Sequence, residues 1–501
     1  MPKYVSEPIS LYKTGLGPFT RKISSSNREA QAFFDQGFQM MHAFAKLDAV
    51  RSFREAWKRD PECAICYWGE GWAWGSYLNG PMSAEQSPFA YAATQKALAL
   101  KDKATPKERV FIDALAVRYV KDFDVKTRVD QDRAYAEAMR KVYEAYPDDL
   151  DAGTLYADAL FLLEPRRGTR DVNAPNIKRL HAVLEGVLAK DPRHPGACHL
   201  YVHATESTVK PEKAEACAQF LGSTIPGASH INHMPSHTFN EVGRWGDSVR
   251  ANLDAWHSDQ KADLGEGFAI YPDHNLHMLL YAASMDGQGA IAMQAARDYA
   301  KRTNDTMYQV LTFIRFGRFD EVLDVTKRPE RPVPAAAWDF AQGYAYLRTG
   351  QADFAKVYLA RIEKTAETST SEFRNHPPKR LLGVLAGILQ GEIARDAKDL
   401  PAAIAAFEQA VASDDALEYD EPEPLPFPAR HWLGAALLES TQYGDAERVY
   451  REDLKQHPHN GWSLLGLQQA LKAQGKPTKE VDADLAASWS RSDTWIRASR
   501  F

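Results

Sequence analysis

Cysteine is scarce in this chain: four in 501 residues, too few to staple a fold of this length, which excludes a disulfide-built scaffold. Cys63 and Cys66 form a C-x-x-C, yet no second pair completes a zinc ribbon and no βαβ pattern surrounds them for a redox site. Helix packing is their expected role. Cys198 points about 100° away from His199 on a helix, which makes it a poor co-ligand, and a Cys198–Cys217 bridge stays open. No apolar run approaches the length of a membrane span. The opening MPKYVSEPISLYKTGLGPFT has neither the apolar stretch nor the small-residue cleavage site of a secretory signal, so the expected location is cytoplasmic. Lys and Arg number 61 against 67 Asp and Glu, a net charge of −6, and the basic residues are dispersed. Nucleic-acid and anionic-membrane surfaces are therefore not expected. Alternating strand patterns are missing, as are G-x-S-x-G, Walker A and a strand-borne G-x-G-x-x-G.

What is present is a period of about 34 residues. Gly37, Ala49, Phe53, Ala56 and Pro61 fall at the spacing of a tetratricopeptide repeat: two antiparallel helices, small residues where they cross, proline at the end. Gly434, Ala446, Tyr450 and Pro458 repeat that spacing, as do Gly391, Ala403, Phe407 and Ala410, and weaker copies include Gly343 with Ala355. The expected fold is all-α, a tetratricopeptide-repeat-like helical solenoid. Its expected parts are an N-terminal arm (1–28), helical repeats carrying the histidines (29–315) and C-terminal repeats (316–501). Three proline- or hydroxyl-rich segments, 328–335, 365–380 and 418–430, cannot be helix interiors. The last sets Glu418, Asp420, Glu421 and Glu423 among four prolines, a stiff acidic loop able to cover a groove.

Nine of the fifteen histidines lie between His194 and His277. Random scatter at this content gives about one pair at i,i+3 or i,i+4 spacing, whereas the window holds His199/His203, His230/His233, His233/His237 and His274/His277. Residues so spaced share a helix face, and each pair offers two imidazoles side by side, as a metal ion requires. In HPGACHLYVHATES, Glu206 lies one turn beyond His203, placed to ligate or to orient a histidine. In HINHMPSHTF, Pro235 suits a first helical turn, with His233 at the helix mouth, His237 one turn inside and His230 either an outer member or a loop residue. In IYPDHNLHML, His274 and His277 open an apolar helix and Tyr271 is close enough to supply a phenol. The three pairs are expected to meet, with Glu421 near them. Six imidazoles favour Zn, Cu, Fe or Ni over Mg or Ca. One ion needs the fewest coincidences, and two three-histidine sites, such as a dioxygen-binding copper pair, are an open alternative.

The leading expectation is a metal-dependent oxidoreductase using dioxygen on a small organic substrate. Its metal ligands would be His199, His203, His233, His237, His274 and His277, holding copper first, iron or zinc next, with Glu206, Tyr271 and Glu421 as catalytic groups. One alternative is a zinc-type hydrolase with Glu206 as general base. Another is a non-enzymatic repeat scaffold that binds a peptide or protein partner.

The chain resembles bacterial tetratricopeptide-repeat proteins that carry an HMPSH motif. The matching stretches include SSSNREAQAFFDQGF, DPECAICYWG, TPKERVFIDALAVRY, HPGACHLYVHATES, HMPSH, YPDHNLHML and EPEPLPFPARHWLGAALL, and they span nearly the whole sequence. The resemblance implies the repeat fold and is nearly silent on substrate. Two departures stand out. Phe44, Ala45 and Lys46 replace the usual F-N-H, with His42 one turn earlier as a replacement ligand, and Glu164 to Arg167 replace a proline-tryptophan segment.

Overall fold

A computed structural model describes residues 2–165 and 168–501; Arg166 and Arg167, in the departing segment, lie outside them. Among the described residues there is no strand, only isolated bridges such as Tyr77 with Gly80. No helix there is long and apolar enough to cross a membrane. The chain forms two compact units: Met1–Thr238 with Asp254–Pro272, and Phe239–Leu253 with Asp273–Phe501.

The first unit opens with an arm clasped by glutamines of the first long helix, Arg28–His42. Gln36 accepts from the Tyr12 N–H at 2.8 Å and Gln39 from the Gly17 N–H at 2.7 Å. Asn27 caps that helix by accepting from the N–H groups of Glu29 and Ala30, which satisfies donors that have no intrahelical partner. The helix pairs with Lys46–Arg59, and Ala64–Trp74 follows. The repeat spacing has a direct cause here. A Cβ on Gly37 would lie 2.9 Å from the Phe53 ring, and one on Gly69 2.4 Å from it. One aromatic ring of the second helix is thus gripped between bare backbones of the first helix and of the next repeat. The second unit uses the same device: Cβ atoms on Gly434 and Gly466 would come within 2.4 and 2.0 Å of Tyr450, and one on Gly391 within 2.4 Å of Phe407. Gly69→Ala should overpack this contact at a cost of about 1–3 kcal/mol, read as a fall in the thermal midpoint. An unchanged midpoint would show that Phe53 has room to move.

The proline-rich segments bound helices as expected. Helices begin at Pro332 and Pro378, where a missing N–H costs nothing, and the acidic loop ends where Arg430–Glu439 starts. The cysteines depart from expectation. Cys63 is bonded to Cys66 and Cys198 to Cys217, so the C-x-x-C is a bridge and not merely helix packing. The reason is local. Cys63 is the residue that caps the helix and Cys66 lies in its first turn, which sets the two Cα atoms 5.4 Å apart, within the span a disulfide needs.

Candidate metal centre

The helix Pro195–Thr205 is buried on every side. His194 caps it, its Nδ1 accepting from the Ala197 N–H at 3.1 Å. Gly196 follows because the His42 ring lies against its Cα: a Cβ there would fall 2.2 Å from that imidazole. His199 and His203 then share a face, and Glu206 ends the helix.

Hydrogen-bond partners fix which nitrogen of each ring is the donor. His199 Nδ1 lies 2.5 Å from the backbone carbonyl of His42, and a carbonyl can only accept. His199 therefore carries its proton on Nδ1 and presents a lone pair on Nε2. Glu206 does the same for one ring and touches a second. Its Oε1 accepts from His203 Nδ1 at 2.9 Å, which turns His203 Nε2 outward as the ligand-bearing nitrogen, and its Oε2 lies 2.5 Å from His237 Nδ1 in an ion-pair contact that lacks hydrogen-bond alignment. A carboxylate that orients imidazoles from behind is a recurrent companion of metal-binding histidine. Glu206 is 1 % exposed, and the two imidazoles set against its carboxylate offset the cost of burying it.

The second stretch folds as the proline implies. A short helix, Ser229–His233, ends before Pro235–Glu241 begins, placing His233 at the break and His237 one turn inside. His237 Nε2 faces His233 Nε2 at 2.7 Å, and His199 Nε2 faces His230 Nε2 at 3.1 Å. In the His199–His230 pair the acceptor is already assigned, so His230 shares a proton with it; in either pair a cation could replace the proton between the rings, as metal binding does when it releases protons. Ligand atoms of His199, His203 and His230 lie within 4.8 Å of one another. All of these rings are buried. Burial lowers the His199 pKa to about 4 and that of His230 well below the usual value, keeping both neutral, the form that ligates.

His230, ambiguous from sequence, is thus a full member of this cluster. The signal for it was its i,i+3 spacing from His233. Tyr271 also joins the first unit's site: its ring meets His230 edge-on at 5.1 Å, and its hydroxyl is 2.6 Å from that of Tyr77. Phe44 covers the opposite side, with ring centroids 4.2 Å from His199 and 5.9 Å from His203.

His42 belongs to a different group. Its Nε2 is 4.0 Å from Asp151, which also holds His194 Nε2 at 3.2 Å and Arg21 at 2.5 Å. Because His194 Nδ1 accepts from the helix, its Nε2 must donate to Asp151, and the Arg21 guanidinium occupies the carboxylate. This triad suits a buried hydrogen-bond network and not an ion.

His274, His277 and Glu421 lie in the second unit. His274 is half-buried on the helix Pro272–Met285, and His277 buried. Arg374, which sequence reasoning missed, donates to His277 Nδ1 at 2.6 Å, to both oxygens of Asp420 and to the backbone carbonyl of Glu421 at 2.8 Å. One guanidinium thereby joins His277 to the acidic loop, across more than 140 positions. It also alters His277. A guanidinium can only donate, so Nδ1 carries the lone pair and a neutral ring has its proton on Nε2. Burial and the Arg374 charge push its pKa well down. His277 accordingly accepts from Arg374 through Nδ1, and its buried Nε2 has no hydrogen-bond partner among the described residues.

No family model matches the sequence, and no curated protein matches it. Solved structures do. The Cut9–Hcn1 hetero-tetramer of the APC/C is 13% identical over 95% of this chain and 78% of that chain, with a TM-score of 0.32. The P58(IPK) TPR domain is 12% identical over 89% and 98%, at 0.23, and the human IFIT1 dimer with m7Gppp-AAAA is 10% identical over 86% and 90%, at 0.32. The likeness is one of fold. At such identities it reaches no site, and the histidine cluster has to be read from its own chemistry.

Proposed function

We propose that the first unit holds a transition-metal centre and that the protein is a metal-dependent oxidoreductase acting with dioxygen on a small organic substrate. The observation that carries this is Glu206, whose buried carboxylate accepts from His203 Nδ1 at 2.9 Å and sets its other oxygen 2.5 Å from His237 Nδ1. That arrangement orients His203 and His237 as ligands and has no comparable use in a peptide-binding groove. His199, His230 and His233 add nitrogens of the same kind. The donor set is imidazole alone, which suits copper or iron, with zinc next. Such an ion supplies one-electron chemistry when bound. The protein's own residues orient the rings and exclude water: Phe44 and Tyr271 close two sides with aromatic surface, and Tyr271 holds its phenol against Tyr77. The kinship with HMPSH-bearing bacterial repeat proteins belongs to this reading, since HMPSH contains His233 and His237.

A zinc-type hydrolase is supported less well. Its general base would be Glu206, and both carboxylate oxygens of that residue are engaged by imidazoles. The test is elemental analysis of protein purified without a polyhistidine tag, followed by absorption and paramagnetic-resonance spectra. Stoichiometric copper or iron with the matching spectrum is expected. Stoichiometric colourless zinc would replace oxidation by hydrolysis. Absence of metal, after incubation with each ion in turn, would leave the scaffold with a peptide or protein partner.

A further inference from the structure

Three consecutive helices of the first unit enclose a cleft of about 220 Å³. Cavities of about 150 Å³ hold benzene, so there is room for one substituted ring, while a drug-sized molecule needs more. Arg54 comes from the helix Lys46–Arg59, Tyr67 and Glu70 from Ala64–Trp74, and Phe89, Ala92, Ala93 and Lys96 from Ser87–Ala99. Those last four stand at i, i+3, i+4 and i+7, one helix face, and its two alanines leave space that a larger side chain would fill. No histidine lines the cleft, so its chemistry is separate from that of the metal centre. We propose that it binds a free single-ring aromatic carboxylate, with the ring between Tyr67 and Phe89 and the carboxylate on Arg54.

Three features point to this ligand. The first is the hold on Arg54. Its Nη1 donates to Glu70 Oε1 at 2.7 Å, and its guanidinium stands 5.2 Å over the Trp57 ring. Its Nε and Nη2 have no hydrogen-bond partner among the described residues. That is the edge with which Arg374 grips both oxygens of Asp420. A guanidinium anchored at one nitrogen, with its two-donor edge open, matches a carboxylate, which accepts two parallel bonds.

The second is charge. Glu70 is 4 % exposed, and besides Arg54 it receives the Trp57 indole on Oε2 at 2.7 Å and the Trp74 indole on Oε1 at 3.4 Å. Three donors of the protein itself thus occupy this carboxylate, which fixes Arg54 and balances one positive charge. Lys96, exposed and 5.9 Å from the Tyr67 ring centroid, leaves the lining with two cations against one anion. The third is the walls. Tyr67 is backed by Trp57, with ring centroids 5.2 Å apart and planes 12° apart, and Phe89 by Trp74 at 5.3 Å. Rings supported from behind present fixed faces to an aromatic guest. A neutral ring would leave the Arg54 edge unmet, and a small inorganic anion would leave the walls uncovered.

Calorimetry on the full-length protein compares benzoate with benzamide, its neutral counterpart, and with acetate, which lacks the ring. Benzoate should bind at least about tenfold more tightly than either, the worth of a charge-assisted hydrogen bond in the first case and of buried ring surface in the second. Arg54→Lys keeps the charge, removes the two-donor edge and should lower benzoate affinity about tenfold. Ala92→Phe, at an exposed position, fills the cleft and should abolish binding with an unchanged thermal midpoint, which keeps the test open if the Arg54 variant does not fold. Benzoate that binds no more tightly than benzamide or acetate, or that still binds the filled cleft, would overturn the proposal. So would a tetrapeptide ending in phenylalanine that binds more tightly than benzoate, since the cleft would then take chain ends and not a free acid.

Discussion

Glu206→Gln should weaken metal binding by about 10–100-fold, the usual loss when a carboxylate behind a ligating histidine is removed. The change keeps the volume and the side-chain length. It replaces two acceptor oxygens by one acceptor and one donor. His203 donates from Nδ1 to Glu206 and His237 Nδ1 lies against its other oxygen, so after substitution one of them faces an amide N–H. That ring has to give up its Nδ1 proton and carry it on Nε2, where the metal should be. Competition against a chromophoric chelator measures the loss, and the thermal midpoint checks that the protein is folded. Metal affinity equal to that of the parent protein would mean that Glu206 does not orient ligands.

His203→Ala should go further and remove about two orders of magnitude in affinity. Structural zinc sites gain about 10–16 kcal/mol; spread over three or four ligands, the loss of one is about 3 kcal/mol, roughly a hundredfold. His257 and His459 are exposed, so alanine there should change nothing and provides the comparison. His457, isolated in sequence, is unsuitable as a control: it is buried between Asp453 at 3.0 Å and Glu423 at 2.8 Å, and its removal would take a partner from the buried Asp453 carboxylate. Added imidazole should restore part of the binding in the His203→Ala protein by entering the space left behind. Equal metal retention in the His203→Ala and His257→Ala proteins would refute the site.

The parts legible in the sequence are those that depend on local periodicity. Gly37 and Phe53 lie sixteen positions apart because one turns a bare backbone to the other's ring, so the repeat could be read directly. His199, His203 and Glu206 share a face for the same reason. What pins these rings was hidden. The acceptor for His199 is a main-chain carbonyl 157 positions away, and any residue has a carbonyl, so no side chain advertised it. The donor that holds His277 Nδ1 is Arg374, 97 positions distant, one arginine among many. The C-x-x-C bridge was missed because helix packing was expected to account for both cysteines.

The bond between Cys198 and Cys217 touches the residue next to His199 and ties the histidine-bearing helix to Glu215–Leu221. Disulfides persist in oxidising surroundings and are reduced in an ordinary cytosol, so this tether and a cytoplasmic address pull against each other. Protein matured in the two environments would be two different materials with one sequence, the first with its metal-bearing helix anchored and the second with that helix released. Where the chain is made thus becomes part of its chemistry, and host compartment is a variable to be matched before any two preparations are compared for metal content.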